Sequence, residues 1–469
     1  MSANSTPKIE CTKAAKPRRI ALICPTMWDE AELPRIASRG AFQIRRYGSD
    51  VSEHPEDFDP LAFIEKAVAE FCDAKIDGVM ASDDYPGSIV AAAIARRLNL
   101  PGPSPEMILL CQHKYYSRIA QKKFLPEVVP SFALLRMDGS VAVGQLTFPV
   151  FIKPVKSFFS ILAERVENAE ELKRIVAQAH SHLHEFVRPF NALLRHFTDY
   201  PINGSHLLAE TPLQGNQVTV EGCVDRGEVM IIGITDSIMH PGTISFARFE
   251  YPSALTLSVQ ERMSHIATRF ISAIGFDNGL FNIEMFYDPS SSSIHIIEVN
   301  PRMCPQFADL MEKVNGVNTY EIALALATGA RPVMRRCGAV YPAAVSYVMR
   351  LFNDKIVREI PSSGELRELG MRFPDARLKI LCQPGRRLSQ ELQDGNSYRY
   401  AILNMGGACR EDAIARSEKA LRGLTFVFDD VSGQDTTRSP LSAGVIDIQS
   451  VKTSETSGTK TTTARSSWA

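Results

Sequence analysis

Three oxygen-bearing side chains near the middle of the chain could together bind a divalent cation. Glu298 and Asn300 are two residues apart in one apolar run, and Glu284 lies in the preceding run, before the loop 289–293. Two such runs joined by a Pro/Ser loop predict an antiparallel hairpin, and side chains two apart on a strand share a face. If residues 284 and 298 are opposite each other, all three side chains lie together. Neighbouring carboxylates need a counter-charge, and Mg²⁺ prefers oxygen ligands, so the pattern predicts a metal site; the alternative is an exposed hairpin with hydrated glutamates.

Two lysines could neutralise phosphate groups beside this hairpin. Lys153 ends an apolar run and precedes the short polar segment 157–160, and Lys114 follows the predicted N-terminal domain. A lysine can act as a point charge for phosphate, and backbone N–H groups of a tight turn can bind phosphate oxygens. Because protein-bound Mg²⁺ is usually held by one or two carboxylates together with substrate phosphates, hairpin and lysines predict a site for a metal-bound nucleotide.

The elements that must position these residues fall into three groups. In the first group, short apolar runs alternate with helical patterns, which predicts a parallel α/β sheet. Asp59 is predicted to cap the first of these helices, with Pro60 at its first position. The predicted strands are 19–25, 42–47 and 77–82, and the predicted helices are 59–73 and 87–98.

The middle and last groups mix strands with amphipathic helices. The predicted middle strands are 148–154, 207–210, 218–224, 229–236, 280–288 and 294–300, and the helices are 169–179, 258–274 and 319–328. The predicted C-terminal elements are the strands 344–351 and 399–404 and the helix 411–423. The histidine-rich segment 180–206 is interpreted as a polar surface insertion rather than a metal site, because histidines spaced by two point to different sides of a helix.

Composition bounds the class of protein. The 469 residues carry a net charge of −1 and 45% apolar residues, which excludes a whole-chain nucleic-acid binder and an overall disordered chain. The nine cysteines are dispersed without a CxxC pair, as in reduced thiols. Since we see neither a run of about 18 apolar residues nor a secretory signal, we expect a cytoplasmic protein without nucleic-acid or membrane partners.

The order of these features resembles the ATP-grasp superfamily, the fold of carboxylate–amine ligases and biotin carboxylases. The matching features, in chain order, are Lys114, the run 148–154, the run 207–222 with Glu210, Gln217 and Glu221, Asn282-Ile-Glu284, and Ile297-Glu298-Val-Asn300-Pro-Arg302. The resemblance covers about residues 20–330, and the segments 398–407 and 410–421 resemble the terminal domain of amino-acid ligases.

The resemblance implies a fold and a domain division. It implies a Rossmann-like parallel sheet domain, then an ATP-grasp fold of two α+β subdomains that clasp ATP, then a small C-terminal domain. The implied divisions are a flexible arm (1–18), the N-terminal domain (19–112), the ATP-grasp domain (113–330, with a lid at about 130–210), the C-terminal domain (331–431) and a disordered tail (432–469).

The resemblance also implies a role for each matching residue. Lys114 and Lys153 would contact the phosphates of ATP, the backbone of Glu210 to Leu213 would contact adenine, and Gln217 would contact the ribose. The metal ligands for Mg²⁺, with Mn²⁺ as an alternative ion, would be Glu284, Glu298 and Asn300. Arg302 and Lys153 would be catalytic, and Arg302 would steady an acyl phosphate or the substrate carboxylate.

These roles imply an ATP-dependent ligase that activates a carboxylate as an acyl phosphate and joins it to an amine. The alternatives are a bicarbonate-activating enzyme like biotin carboxylase and a non-catalytic ATP-binding module. Departures from the family pattern motivate the last one: Gln217 replaces the usual glutamate, and the segment 157–160 has no glycine. Oligomeric state stays open, with a homodimer as one option.

Two further side chains have open interpretations. Arg248 is predicted either to face the phosphates or to form a surface ion pair with Glu250 or Glu261. Cys304 lies near the predicted site, but no partner base is close in sequence, so we interpret it as a packing residue. The segment 303–306 follows Arg302 without the glycine that ligases often have, so we expect an unusual acceptor pocket.

Overall fold

The computed structural model describes residues 16–38, 42–49, 51, 58–157, 162–334, 339–390, 393–394 and 397–431. The predicted terminal arm and tail lie outside these residues, apart from residues 16–18. The helices are α1 (Met27–Ala37), α2 (Pro60–Ala74), α3 (Gly87–Arg97), α4 (Pro105–Gln112), α5 (Lys114–Phe124), α6 (Ala169–Phe197), α7 (Leu257–Ile274), α8 (Ala308–Asn315), α9 (Thr319–Ala327), α10 (Ser363–Arg372) and α11 (Arg410–Leu421).

The strands are β1 (Arg18–Ile23), β2 (Phe42–Tyr47), β3 (Gly78–Met80), β4 (Phe132–Leu135), β5 (Val141–Val143), β6 (Val150–Pro154), β7 (Glu164–Val166), β8 (Leu207–Glu210), β9 (Asn216–Asp225), β10 (Glu228–Met239), β11 (Phe246–Tyr251), β12 (Gly279–Asp288), β13 (Ser293–Asn300), β14 (Ala343–Leu351), β15 (Lys355–Glu359), β16 (Arg377–Ile380), β17 (Gln393–Asp394), β18 (Ser397–Gly407) and β19 (Val427–Asp430).

The N-terminal sheet is parallel, as predicted. β1 lies between β2 and β3, and Ile20 is level with both Ile44 and Gly78. The core of β1 is fully enclosed, which fits a strand covered by helices on both faces. Asp59 caps α2 by accepting hydrogen bonds from the N–H groups of Leu61 and Ala62 at 3.0 and 3.1 Å.

A second sheet with a long helix forms the region predicted to be the lid. Its strands are antiparallel in the order β5-β4-β8-β6-β7, and α6 packs against it. The prediction that 180–206 is a polar surface insertion was wrong, because α6 continues to Phe197. Its buried residues Val187, Phe190 and Leu194 continue the helical spacing of the first half, and Phe190 and Leu194 join the main core.

The largest sheet carries the hairpin. Its strand order is β13-β12-β9-β10-β11-β14-β18-β16, with β17 also paired to β18. Neighbouring strands are antiparallel, and α7 packs on the sheet through Val259, Met263 and Phe270. Because β11 pairs with β14, one sheet spans the middle and C-terminal segments, and the boundary at residue 330 stays a prediction.

The predicted hairpin is present. β12 and β13 pair with Glu284 directly opposite Glu298 and Asn282 opposite Asn300, so these side chains share one face of the sheet. Within the described residues, no helix is both long and apolar enough to cross a membrane.

Candidate active site

The hairpin brings the three predicted metal ligands together. The Nδ2 of Asn300 lies 3.4 Å from Oε1 of Glu284 and 3.2 Å from Oδ1 of Asn282. Glu298 is opposite Glu284 on the neighbouring strand. The face therefore presents two carboxylates and an amide, which are hard oxygen donors suited to Mg²⁺.

Lys114 lies against this face. It begins α5, is buried, and its Nζ lies 2.9 Å from Oε1 of Glu298. The same ammonium donates to the carbonyl of Ser157 at 3.3 Å, and the Lys114 N–H donates to the carbonyl of Val155 at 3.1 Å. Lys114 thus ties the hairpin to the segment that follows β6. The predicted phosphate-binding residues 158–160 of that segment lie outside the described residues.

The second predicted lysine belongs to a separate ion cluster. Lys153, on β6, places its Nζ 2.8 Å from Oε2 of Glu210 and 3.3 Å from the carbonyl of Ile297. Arg118 from α5 pairs with the same carboxylate, with Nη2 at 3.2 Å from Oε2, and donates to the Ile297 carbonyl at 2.8 Å. Burial alone would raise the pKa of Glu210, but Arg118 and Lys153 outweigh it and lower this pKa to about 2.

Gln217 and Leu213 lie on the segment that leaves this cluster. The Nε2 of Gln217 donates to Oε2 of Glu284 at 3.0 Å, so the residue predicted to contact ribose instead contacts a predicted metal ligand in this structure. Leu213 is half-buried in the short connection between β8 and β9. The ribose and adenine roles remain predictions.

The two hairpin glutamates have opposite electrostatic environments. Burial and the charge of Glu298 raise the pKa of Glu284 to about 7. Burial also disfavours the charge on Glu298, but Lys114 and Lys153 outweigh it, and the pKa of Glu298 is lowered. Glu284 receives hydrogen bonds only from two amides among the described residues, so it has room for a cation as a partner.

Arg302 contacts Asp84, which in turn contacts Lys156, and the sequence alone did not single out either of these two residues. Its Nε lies 3.3 Å from Oδ1 of Asp84, and the Nζ of Lys156 lies 3.2 Å from Oδ2 of the same carboxylate. Burial would raise the pKa of Asp84, but Lys156 and Arg302 lower it to about 2. Asp84 follows β3 at the carboxyl end of a parallel sheet, where ligand sites of such sheets form, and this position was the available signal.

A fully buried glutamate lies beside the hairpin, on the neighbouring strand β9, where it is in register with Asn282. Glu221 accepts a hydrogen bond from Nδ2 of Asn282 and one from the Cys304 N–H at 3.1 Å, while its Oε2 has no hydrogen-bond partner among the described residues. Burial raises the pKa of Glu221 to about 7. Burial also raises the pKa of the Cys304 thiol to about 12, which agrees with a packing role for this cysteine.

The structure favours the ion pair among the two interpretations of Arg248. Its Nε donates to Oε1 of Glu250 at 2.6 Å, and Glu250 also pairs with Arg410 at 2.6 Å. The carboxylate is buried, so this is a partly enclosed network rather than a surface pair. In the histidine-rich segment, the side chains of His180, His182 and His184 lie outside the described residues. The described part of the chain holds no group of three or more histidine, cysteine, aspartate or glutamate side chains that could bind a metal among themselves.

Comparisons with known proteins agree with this geometry. The family model of the ATP-grasp domain matches residues 146–311. The chain is 28% identical over 245 residues to the uncharacterized protein y4rH of Sinorhizobium fredii, covering 48% of this chain and 44% of that protein. It is 23% identical to the carbamoyl phosphate synthase large chain of Thermoanaerobacter pseudethanolicus, covering 65% of this chain and 28% of that one. The chain thus spans less than half the length of these two relatives.

Solved structures share the fold over most of the chain. The L-amino acid ligase from Bacillus licheniformis superimposes with a TM-score of 0.71 and 18% identity, covering 89% of this chain and 100% of that one. The biotin carboxylase of Campylobacter jejuni superimposes with a TM-score of 0.60 and 17% identity, covering 87% of this chain and 92% of that one. The biotin carboxylase domain dimer of Hydrogenobacter thermophilus 2-oxoglutarate carboxylase, in complex with MgADP, ADP and bicarbonate, gives 0.60 and 15%, covering 87% and 90%.

Proposed function

We propose that this chain, in which the ATP-grasp domain match covers residues 146–311, is an ATP-dependent ligase of the ATP-grasp superfamily that activates a carboxylate as an acyl phosphate and joins it to an amine. The observation that carries the proposal is the hairpin face: two glutamates directly opposite each other, an asparagine beside them, and a buried lysine on one of the glutamates. This arrangement suits the binding of a nucleotide and a divalent cation together.

The residues present fit a divalent cation. Glu284 lacks a cationic partner within ion-pair distance among the described residues. Burial and the charge of Glu298 raise its pKa more than Arg302 and Lys114 lower it. Glu284, Glu298 and Asn300 would hold Mg²⁺ or Mn²⁺. When bound, such an ion supplies charge neutralisation for the phosphoryl group in transfer.

Lys114 and Lys153 would neutralise the rest of the negative charge on the phosphates. In this structure Lys114 is paired with Glu298, and Lys153 with Glu210. We propose that nucleotide binding redirects the ammonium of Lys114 from Glu298 to phosphate oxygens. Lys153 stays anchored on Glu210 and presents its remaining N–H donors to the phosphates, since an ammonium has three.

The connection between β8 and β9 would hold the nucleoside. Its backbone from Glu210 to Leu213 is rigid at the first end, because Glu210 is locked by Arg118 and Lys153. Gln217 can accept a ribose hydrogen bond through its amide oxygen while its Nε2 stays on Glu284. Gln217 would then connect the ribose with a metal ligand.

Arg302 would act on the carboxylate substrate. Its guanidinium lies next to the hairpin, two residues after Asn300, and its side chain is 20% exposed. It can hold the carboxylate during phosphoryl transfer and the developing oxyanion when the amine attacks the acyl phosphate. The amine loses a proton in that step, and inorganic phosphate leaves.

Amino acids are the substrate class that we propose for both partners, in a cytoplasmic reaction. The support is the extent of the superposition on the L-amino acid ligase, which includes all of that chain. A bicarbonate substrate is the second candidate, supported by the superposition on the biotin carboxylases. A homodimer is proposed on the same ground, since one of these structures is a domain dimer.

Phosphate release tests the proposal. Purified protein, ATP and Mg²⁺ are incubated with pools of amino acids, or with bicarbonate and free biotin, and products are identified by mass spectrometry. Release that requires an amino-acid pool and gives a condensed mass supports the ligase. Release only with bicarbonate shifts the assignment to carboxylation, and ATP binding without release in either mixture contradicts the proposed ligase.

A further inference from the structure

A buried ion pair connects the N-terminal sheet to the segment after β6. Lys156 is 1% exposed, and its ammonium hydrogen-bonds Oδ2 of Asp84 at 3.2 Å. The same ammonium lies 4.8 Å from the ring centroid of Tyr85 and 5.6 Å from that of Phe190. Two aromatic faces and a carboxylate together hold this lysine in one place.

Asp84 is held just as firmly. Its carbonyl oxygen accepts hydrogen bonds from the Ser88 hydroxyl and from Nε2 of Gln112, at the start of α3 and the end of α4. These hydrogen bonds fix the backbone of Asp84 in the turn between β3 and α3. The carboxylate itself can move only by rotation of its short side chain, so its contacts with neighbouring cations decide where it lies.

The contact between Asp84 and Arg302 is of a different kind. The Nε–Oδ1 distance is 3.3 Å, yet Oδ1 accepts no hydrogen bond from the described residues. Among the described residues, the guanidinium of Arg302 makes one long hydrogen bond, to the carbonyl of Met303 at 3.4 Å. An arginine has five N–H donors, so most of those of Arg302 are available to another partner.

The two cations also differ in exposure. The side chain of Lys156 is 2% exposed and that of Arg302 is 20% exposed. Lys156 is therefore enclosed behind Asp84, whereas Arg302 borders open space at the site. Asp84 accepts a hydrogen bond from the enclosed Lys156, whereas its contact with the more accessible Arg302 is an ion pair without a hydrogen bond.

We propose that Lys156 is a positioning residue that holds the Asp84 carboxylate away from the guanidinium of Arg302, so that this guanidinium stays available for an anionic oxygen group of the substrate. The Asp84 carboxylate is shared between two cations and hydrogen-bonds only Lys156 of the two, so the guanidinium of Arg302 keeps N–H donors for an incoming carboxylate or phosphoryl oxygen. Without Lys156, Asp84 would be an anion within the chain that competes for Arg302, since arginine and carboxylate form a strong two-point pair.

The identity of the bound anion rests on the proposed ligase function. The competition between Lys156 and Arg302 for the Asp84 carboxylate does not. The first test therefore needs no turnover. Phenylglyoxal modifies guanidinium groups that are not engaged by an anion, and its rate at Arg302 can be followed by peptide mass spectrometry in wild type, Lys156→Met, Asp84→Asn and the double variant. Lys156→Arg, which keeps the positive charge, is the matched control.

We expect Lys156→Met to slow modification of Arg302 by about fivefold, because Asp84 then pairs with it. Asp84→Asn and the double variant are both expected to react at least as fast as wild type, and Lys156→Arg within about twofold of wild type. Equal rates in wild type and Lys156→Met, or a double variant as slow as Lys156→Met, would overturn the proposal. If Lys156→Met does not fold, a slower reaction in Asp84→Asn than in wild type overturns it instead.

Kinetics give the second readout. In Lys156→Met, KM for the carboxylate substrate is expected to rise about tenfold while KM for ATP changes less than about twofold, and adding Asp84→Asn is expected to restore the carboxylate KM. A lysine that only supported the fold would not be rescued by removing its partner's charge. If wild type turns over no carboxylate at all, the proposed ligase fails, and the modification rates still decide the role of Lys156.

Discussion

Two buried charge clusters lie side by side at the site, and they differ in the ratio of carboxylates to cations. The hinge cluster consists of Glu210, Arg118 and Lys153, and its one carboxylate has two cations. The hairpin cluster consists of Glu284, Glu298 and Lys114, with amides beside them, and its two carboxylates share one cation within ion-pair distance. The pKa of Glu210 is lowered to about 2, whereas that of Glu284 is raised to about 7.

This difference in charge compensation suggests a structural role for the hinge cluster and a ligand-binding role for the hairpin cluster. A buried carboxylate with two cations has its charge compensated, so the hinge cluster holds β6, β8 and α5 in place. Two carboxylates with one cation within ion-pair distance among the described residues are short of positive charge, which suits the proposed metal site. The comparison predicts that loss of Arg118 from the hinge cluster mainly lowers stability, whereas loss of a carboxylate from the hairpin cluster mainly impairs nucleotide chemistry.

The largest effect is expected from breaking the hairpin cluster. Glu298→Gln keeps the shape of the side chain and removes the charge that a divalent cation needs. We expect phosphate release to fall by about 10²–10³-fold, because charge neutralisation of the phosphoryl group is lost. Steady-state phosphate release at saturating Mg²⁺ measures it.

Glu261→Gln is the control for this change. Glu261 is exposed on α7, and we expect its variant to stay within about twofold of wild type. Turnover in Glu298→Gln equal to that of the control would remove the hairpin from the chemistry.

The hinge cluster is expected to respond in stability. Arg118→Met leaves Glu210 with one cation in a fully buried site, and we expect a loss of about 3–5 kcal/mol in the free energy of unfolding. Arg269→Met breaks an exposed pair with Glu127 and is expected to cost about 0–1 kcal/mol. Denaturant unfolding of both variants measures the difference, and equal losses would contradict the contrast between the clusters.

A buried carboxylate without a cation gives a smaller effect that depends on pH. Because the folded-state pKa of Glu221 is raised from 4.5 to about 7, its contribution to stability is full below pH 4.5 and is lost as the pH rises through 7. We expect wild type to lose on the order of 2 kcal/mol more than Glu221→Gln between pH 4.5 and pH 7.5. Unfolding free energies of the two proteins at both pH values give the comparison, and parallel pH profiles would show that Glu221 is compensated.

The smallest effect is expected at Arg248. Its partner Glu250 keeps Arg410 when Arg248 is removed. We therefore expect Arg248→Met to cost less than about 1 kcal/mol and to leave KM for ATP within about twofold. A large rise in KM for ATP would restore the interpretation that Arg248 faces the phosphates.

The hairpin could be predicted from sequence because its signals are local. Alternating strands, a Pro/Ser loop and the spacing of Glu298 and Asn300 fix which side chains share a face, and the register places Glu284 where it was expected. The parallel strands of the N-terminal sheet and the capped start of α2 are local in the same way.

The hinge cluster and the Asp84–Lys156 pair could not be predicted in this way, because their partners are distant in sequence. Arg118 meets Glu210 only once α5 packs against β8, and Lys156 meets Asp84 only once two sheets come together. Local composition also misled at α6, where the histidines hid the apolar spacing of Val187, Phe190 and Leu194. Pro34 hid α1 in a similar manner, since a proline inside a helix predicts a break.

Oxygen transfer from substrate to phosphate tests the proposed chemistry most directly. The carboxylate that supports phosphate release is supplied with ¹⁸O in both oxygens, and the released phosphate is analysed by mass spectrometry. An acyl phosphate places one substrate oxygen on the phosphorus, so we expect phosphate with one ¹⁸O and an amide product with the other. Phosphate without ¹⁸O, formed at the same rate, would show that water attacks ATP and would contradict activation of the carboxylate.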